Sequence, residues 1–425
     1  MKFTKTLIAA SFALTSTHSF AAAFQLAEQN ASGLGRAYAG EASSADDASV
    51  VARNPALMTL FTDKQFSIAA SSVMPDVSLK GTGTNNGMDA SVLNDSSIAP
   101  SAIIPAAYFT MPLNERVALG FGAFSNFGLA TKFDSDYAAG QIAGETEIVT
   151  ININTSVAYK ATEQLSVALG LNYIYADAKI IRKFGATNTG IPASADAVNL
   201  QGDDTGYGFN VGLMYQLDDN SRFGFHYRSE TDITFTGDYS NQLPTAVTPL
   251  GLNGMAVLPG LVNLSLPAIA EVSGSHQLNE AIGVHYSALW TGWSSFKTLE
   301  SEITLPSGAK AIAFSKDESF SNAMRYSIGA DYQYSPKLLL RTGIAFDESP
   351  VSQEHLSISI PDTDRFWLSF GGNYAITEHS NFDLGLSIIR GKTQRFSEED
   401  NIGNEWSFQS KGHALLFAAQ YNYKF

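Results

Sequence analysis

The sequence lacks several features that would define common classes of protein. It has no cysteine, which rules out disulfides and thiol chemistry, and its 26 Lys and Arg face 41 Asp and Glu for a net charge of −15. That balance argues against nucleic-acid binding, which requires a basic surface. The sequence also lacks an HExxH metal motif, a GxSxG elbow and a phosphate-binding loop. We therefore expect no enzyme activity, no cofactor, no metal site and no nucleic-acid partner.

Long hydrophobic runs are also missing, apart from a short one at the beginning. The chain starts MKFTKTLIAASFALTSTHSFA, in which Lys2 and Lys5 precede the apolar stretch 7–14. That stretch is shorter than the roughly 20 residues of a transmembrane helix, and a small-x-small site ends at Ala21. The pattern predicts an export signal over residues 1–21 that is removed by cleavage.

The strongest positive signal is an alternation of apolar and small or polar residues. Odd positions from 149 to 159 and from 165 to 175 are mostly Val, Ile, Leu or Tyr, with Asn, Ser, Ala and Gly between them. A soluble β-sandwich would show the same alternation. These segments, however, reach about ten residues, the length of a tilted strand that crosses a bilayer, whereas soluble strands average about five or six.

The connections between these segments alternate in length. Short turns are predicted at 112–115, 160–163, 217–220, 277–280, 334–337 and 377–380. Long loops are predicted near 79–97, 131–145, 183–202, 238–262, 301–319, 348–361 and 395–410. This arrangement predicts an all-β fold, a 14-stranded antiparallel transmembrane β-barrel over residues 64–425 in the bacterial outer membrane. The last strand ends in aromatic Phe425, as such barrels do.

Residues 22–63 have no place in this strand pattern. The stretch SGLGRAYAGEASSADDASVVARNPALMTL is rich in Gly, Ala and Ser but also contains buried-type residues such as Leu34 and Val51. A free periplasmic tail would expose those apolar side chains to water. We therefore predict that residues 22–63 form a hatch domain inside the lumen, which would otherwise be an open pore.

At several places the chain resembles the FadL-type long-chain fatty acid transporters of Gram-negative outer membranes. The similar stretches are AAFQLAEQNASGLGRAYAGEASSADDASVVARNPAL at the mature N-terminus, NFGLATKF, HYRSE, RTGIAFDESPV and SISIPDTDRFWLSFG. The resemblance implies a monomeric barrel with an internal hatch and passive, ligand-gated uptake of long-chain fatty acids. The partners it implies are the fatty acid, outer-membrane lipid and the machinery that assembles barrels.

The resemblance also implies a lateral exit through the barrel wall. In the family, an Asn-Pro-Ala motif of the hatch lies beside an inward kink in the third strand, and Asn54, Pro55 and Ala56 match that motif. The kink falls on Asn126-Phe127-Gly128, with Phe where the family has Tyr. A glycine within a strand is physically consistent with a bend.

The same resemblance assigns the ligand carboxylate to Arg182 and Lys316, and a hatch contact with the pocket to Phe24. The alternation gives independent support for Arg182: if the odd positions from 165 to 175 face lipid, the even-numbered Arg182 faces the lumen. Lys316 lies in a segment predicted to be a loop, where the alternation gives no such information. Both cations would otherwise be solvated loop charges, and Phe24 would be simple packing. The apolar stretch within 238–262 is a candidate surface for capture of the acyl tail.

Three other functions remain open at this point. The same fold performs uptake of neutral hydrophobic compounds such as alkylbenzenes, for which two cations are unnecessary. An outer-membrane lipid hydrolase would need a Ser-His pair on neighbouring strands. A plain solute pore would need an unobstructed lumen.

Overall fold

A computed structural model describes residues 23–186, 190–244 and 256–425. The predicted signal peptide, residues 1–21, lies outside the described residues, and so does the first part of the apolar stretch proposed for ligand capture, up to residue 255. The rest of that stretch lies mainly in the strand Leu258–Leu266. Among the described residues, no helix is both long enough and apolar enough to cross a membrane.

The described residues form one sheet of twenty strand segments, all in antiparallel pairs. In chain order they are β1 Gln65–Thr84, β2 Ala102–Pro112, β3 Val117–Phe124, β4 Gly128–Lys132, β5 Gly144–Lys160, β6 Leu165–Lys183, β7 Asp196–Gln216, β8 Ser221–Arg228, β9 Thr231–Ser240, β10 Leu258–Leu266, β11 Ile269–Gln277, β12 Ile282–Thr291, β13 Thr298–Thr304, β14 Lys310–Asp317, β15 Ala323–Ser335, β16 Leu338–Asp347, β17 Arg365–Ala375, β18 Ser380–Gly391, β19 Gln394–Glu399 and β20 Glu405–Lys424.

These segments make fourteen transmembrane strands, because six strands are interrupted and consist of two segments each. The interrupted strands are β3/β4, β8/β9, β10/β11, β12/β13, β14/β15 and β18/β19. The sheet closes where β1 pairs with β20, from Gln65 opposite Lys424 to Thr84 opposite Trp406. The predicted closed 14-stranded antiparallel barrel is confirmed, and all six predicted short turns connect neighbouring strands at one end.

Side chains alternate between lipid and lumen as the sequence pattern predicts. On β6, Leu171 is 66% exposed on the outer face while Asn172 is 3% exposed inside. A lipid-facing side chain must be apolar, whereas the lumen accepts small and polar groups. The even-numbered side of β6 therefore faces inward, and Arg182 lies on that side.

The long connections differ from the sequence prediction in one respect. The segment 301–319 was expected to be a loop, but β13 and β14 form a hairpin there, and Lys316 lies in β14 opposite Leu299. The predicted loop 395–410 likewise contains β19 and the first part of β20. These segments carry several charged residues, such as Glu300, Glu302 and Lys310, and such residues favoured the loop prediction. β13 nevertheless alternates, with Leu299 and Ile303 buried.

The N-terminal segment is buried against inward-facing residues of the barrel wall. It contains α1 Ala31–Leu34, α2 Val50–Arg53 and a 3₁₀ helix Pro55–Leu60, and two further 3₁₀ helices elsewhere span Ala90–Leu93 and Trp293–Ser295. Residues 23–58 are buried apart from a partly exposed pair at 45–46. Backbone amides of the segment bond to wall side chains, as Ala31 does to Gln420 Oε1 at 3.0 Å and Gly40 to Ser287 Oγ at 2.8 Å.

Wall glycines give the segment room. A Cβ at Gly343 would lie 2.1 Å from the carbonyl oxygen of Arg36, and one at Gly224 would lie 1.7 Å from that of Ala42. The backbone of the segment thus lies directly against the backbone of the wall at these positions. A residue larger than glycine would not fit there.

A buried ionic network also joins the segment to the wall. The Arg36 guanidinium, which is fully buried, contacts Asp46 of its own segment and Asp331 of β15 at 2.9 Å. Arg341 of β16 pairs with Asp383 of β18 and lies 3.7 Å from Asp46. Removing one partner from such a network leaves an uncompensated buried charge, which costs about 3–5 kcal/mol.

Candidate functional site

The third transmembrane strand is interrupted between β3 and β4, and the N-terminus covers the interruption. Asn126 and Phe127 lie in the gap, and Gly128 begins β4. The amide of Gly128 donates to the carbonyl of Phe24 at 2.8 Å, and the amide of Leu26 donates to the carbonyl of Asn126 at 2.7 Å. The backbone around Phe24 therefore hydrogen-bonds, from inside the barrel, to backbone groups of the gap that have no partner strand there.

Phe24 is fully buried at the centre of an aromatic cluster. Its ring centroid lies 4.5 Å from that of Trp293, 5.3 Å from Phe296 and 6.0 Å from Phe127. Phe320 closes the cluster at 5.0 Å from Phe296. Trp293 and Phe296 belong to the interruption between β12 and β13, so Phe24 joins two irregular places in the wall.

A large apolar core surrounds this cluster toward the long-loop end of the barrel. Its buried members come from the wall and from the long connections, and they include Leu93, Ile98, Leu129, Phe133, Ile142, Ile148, Ile174, Ile180, Ile358 and Ile360. Apolar surroundings of this extent suit a hydrocarbon chain and exclude water.

Arg182 lies at the edge of this core and is 3% exposed. Its Nη1 donates to Thr146 Oγ1 at 3.0 Å and to the carbonyl of Ile181 at 2.9 Å. The guanidinium carbon is 5.5 Å from the centre of the Phe314 ring on β14. The inward orientation that parity predicts for Arg182 is therefore observed, and a buried guanidinium faces β14.

Lys316 lies on the same side of β14 as Phe314, two residues further on. Its Nζ contacts Glu398 Oε1 at 2.5 Å and Ser359 Oγ at 3.4 Å. The other carboxylate oxygen of Glu398 accepts the amide of Ile358 at 3.1 Å. Lys316 is thus a partly buried cation held by a partly buried carboxylate.

Glu318 is the second carboxylate near these cations. It lies in the connection between β14 and β15, at the long-loop end of β15, and is 1% exposed. Neither of its carboxylate oxygens has a hydrogen-bond partner in the described part of the chain. Burial raises the pKa of Glu318 to about 7, against the opposing attraction of Lys316 and Arg182.

The structure places Arg182 beside the face of β14 that carries Phe314 and Lys316, because the Arg182 guanidinium lies over the Phe314 ring. Lys316 itself pairs with Glu398. Sequence reasoning missed the two glutamates. Glu318 sits in the stretch KDES and Glu398 in SEED, and such charged stretches are typical of solvated loops. A spacing of 82 residues between Lys316 and Glu398 left no local signal for their contact.

The Asn-Pro-Ala motif lies against a different part of the wall. Asn54 Nδ2 donates to the carbonyl of Leu213 on β7 at 2.8 Å and to that of Ala42 at 2.6 Å. Its Oδ1 accepts the Ala56 amide and caps the 3₁₀ helix that begins with Pro55. Hydrogen bonds from the N-terminal segment to the gap at 125–128 come instead from residues 24–29.

A row of asparagines connects the two places. Asn152 on β5 donates to Asn126 at 3.0 Å and to Asn172 on β6 at 3.0 Å, and Asn154 continues the row to Asn210 on β7 at 2.8 Å. Arg228 on β8 bonds to Asn172 and to the carbonyl of Ala52 in α2. The lumen below the aromatic cluster is therefore polar and hydrogen-bonded, which disfavours passage of an apolar chain.

Comparisons with known proteins agree with this geometry. The family model described as outer membrane protein transport protein (OMPP1/FadL/TodX) matches residues 12–425. The chain is 40% identical over 442 residues to the long-chain fatty acid transport protein of Salmonella typhi, covering 100% of this chain and 99% of that protein.

Solved structures show the same fold. A FadL homologue of Pseudomonas aeruginosa superimposes with a TM-score of 0.84 at 21% identity, over 95% of this chain and 99% of that one. The toluene transporter TodX of Pseudomonas putida superimposes with a TM-score of 0.70 at 18% identity, over 95% and 100% of the two chains.

Proposed function

The chain belongs to the OMPP1/FadL/TodX family of outer membrane transport proteins, and we propose that it takes up long-chain fatty acids across the outer membrane. The observation that carries the proposal is the pair Arg182 and Lys316, two cations at the edge of a large apolar core. A fatty acid offers the matching groups, a carboxylate and a hydrocarbon tail. Transport without catalysis follows from this role.

Binding energetics fit this ligand. A tail of about fourteen methylenes gains roughly 11 kcal/mol when it leaves water, at about 0.8 kcal/mol per methylene. The head group needs charge-assisted donors, because an unpaired buried carboxylate is costly. In this proposal the ligand carboxylate takes the place of Glu398 at Lys316, and Glu318 becomes protonated as the ligand binds.

Release is lateral in the same proposal. The gap at Asn126, Phe127 and Gly128 interrupts the third strand of the wall, and Phe24 contacts it from inside the barrel. The hydrogen-bonded asparagines Asn152, Asn154 and Asn210 make the lumen beside the gap polar, which disfavours passage of the acyl chain there. Movement of the segment around Phe24 opens the gap, and the acyl chain passes into the outer-membrane lipid, with Asn54, Pro55 and Ala56 holding the rest of the hatch against β7.

Neutral hydrophobic compounds are the second candidate, because a toluene transporter shares the fold. Their recognition would not use Arg182 or Lys316. We propose that the protein acts as a monomer after insertion by the barrel assembly machinery.

The deciding experiment compares oleate and toluene binding to purified protein and to the double variant Arg182→Ala, Lys316→Ala. The proposal expects weaker oleate binding in the variant and little toluene binding in either protein. Equal oleate affinity in both proteins would refute the carboxylate clamp, and preferential toluene binding would favour the second candidate.

A further inference from the structure

The outer face of the barrel carries a cluster of basic residues where β18, β19, β20 and β1 meet. We call it the basic patch: Arg390, Lys392, Arg395, Lys411 and Lys80. All five side chains are exposed. Among the ion pairs of the described residues, none involves any of them, although acidic residues outnumber basic ones in this chain by 41 to 26.

Strand register places these residues side by side. Arg390 is opposite His413, which is itself opposite Asp76 on β1. One step further toward the long loops, Lys411 is opposite Ser78. Beyond them, Arg395 and Lys80 flank the same residue of β20, Gln409. The cations thus occupy neighbouring rows on three adjacent strands.

A bulge between β18 and β19 explains why so many of them face outward. Three residues, 391–393, lie between the pairs Arg390–His413 and Gln394–Ser410, whereas β20 has only two residues there. An extra residue reverses the facing of all that follow. On β18, the outward-facing residues up to Arg390 therefore have even numbers, whereas on β19 those from Arg395 onward have odd numbers. Lys392 lies in the bulge itself.

The patch directly adjoins the apolar belt. Met74, Ile388 and Leu415 form the outward row immediately below it. They line a surface groove together with the polar residues Asp76, Arg390, Lys411 and His413, so the groove holds one carboxylate beside two permanent cations. Outward residues on one strand are two positions apart, about 7 Å. In the same groove, Nδ1 of His413 is shielded from solvent and has no hydrogen-bond partner within the described residues.

On the opposite side of the barrel, the outward-facing charged residues of β7 and β9 are acidic rather than basic. At the same end they include the exposed carboxylates of Asp203 on β7 and of Asp232 and Asp238 on β9. The cluster of five exposed cations therefore lies on one side of an acidic protein, next to the apolar belt.

We propose that the basic patch binds a phosphorylated lipid of the outer leaflet, with phosphate groups on Arg390, Lys411 and their neighbours and acyl chains along Met74, Ile388 and Leu415. Phosphate attracts clustered Lys and Arg, and each cation near a membrane surface adds to the attraction. The adjoining apolar groove selects a lipid over a free anion, because only a lipid places phosphate and hydrocarbon a few ångströms apart.

The test uses the full protein in phospholipid nanodiscs, with diphosphoryl hexa-acyl lipid A as the probe and native mass spectrometry as the readout. The variant replaces Arg390, Lys392, Arg395 and Lys411 with Gln. Its apparent affinity for the probe should fall about tenfold or more, given the contribution of each cation at a membrane surface. The dephosphorylated lipid should bind wild type and variant equally weakly.

The matched control removes four exposed lysines elsewhere, Lys64, Lys132, Lys297 and Lys337, again by substitution with Gln, and should bind the probe as wild type does. The double variant Arg390→Lys, Lys411→Arg keeps the charges and should also retain binding. Circular dichroism and heat-modified mobility verify that each barrel is folded. Unchanged affinity in the fourfold patch variant would overturn the proposal, and so would full displacement of the lipid by an equal concentration of inorganic pyrophosphate.

Discussion

The carbonyl oxygen of Phe24 accepts a hydrogen bond from the amide of Gly128 at 2.8 Å, although 104 residues separate them. One belongs to the first described turn of the chain and the other to the third strand of the wall. The same residue supplies the ring at the centre of the aromatic cluster. Any displacement of Phe24 therefore disturbs both the packing of the large apolar core and the closure of the gap.

Substitution of Phe24 by Ala should loosen this closure. Loss of a fully buried phenyl ring costs about 3–5 kcal/mol, and the cost falls on the N-terminal segment rather than on the barrel ladder. Hydrogen exchange at the Gly128 amide should become faster. Phe121→Ala, which removes a lipid-facing ring on β3, is the control and should leave that amide protected. Equal protection of the Gly128 amide in both variants would show that the Phe24 ring does not keep the gap closed.

Loss of the clamp cations should weaken acid binding specifically. A charge-assisted hydrogen bond contributes about 1.5–3 kcal/mol, so Arg182→Ala or Lys316→Ala should each lower oleate affinity about tenfold to a hundredfold. Equilibrium binding of labelled oleate measures this. Lys310→Ala, on the same strand but exposed and paired with Glu302, should have no effect. An oleyl alcohol ligand should bind wild type and clamp variants alike.

Oleate binding should weaken as the pH rises. The pKa of Glu318 is raised to about 7 by burial, so Glu318 is mostly neutral at pH 6 and mostly ionised at pH 8. An ionised Glu318 competes with the ligand carboxylate for Arg182 and Lys316, and a bound anion favours its protonation. Affinity should therefore be greatest below pH 7 and fall above it. Glu318→Gln should remove most of this dependence, and a wild-type affinity that is flat from pH 6 to 8.5 would contradict the assignment.

Contact between the hatch and the wall can be tested at a glycine. Gly343→Ala forces a Cβ against the carbonyl of Arg36 at 2.1 Å, and such overpacking costs about 1–3 kcal/mol. The hatch should dock less tightly, which increases both protease cleavage within residues 23–63 and single-channel conductance in planar bilayers. Gly83→Ala, whose nearest neighbour is 3.6 Å away, is the control. Identical conductance in the two variants would indicate that the segment does not obstruct the lumen.

The sequence determined the barrel well, since lipid imposes a strict alternation on each strand and short turns separate the strands at one end. It predicted the facing of Arg182 for the same reason. It failed at β14, KAIAFSKD, because each face of that strand mixes apolar or small residues with charged ones. Such a mixture is not distinguished from a loop by its pattern. The sequence also did not predict which residues contact Phe24. Trp293 and Phe296 lie in a strand interruption about 270 residues away, and no local pattern encodes such a contact.

The bond between the amide of Ala31 and Gln420 has a consequence for biogenesis. These residues are 389 positions apart, and Gln420 lies on the final strand. The earliest part of the exported chain therefore cannot complete its hydrogen bonding until the last part arrives. The N-terminal segment therefore stays incompletely ordered until nearly the whole polypeptide has been exported. It should become fully ordered when β20 pairs with β1 and the barrel closes.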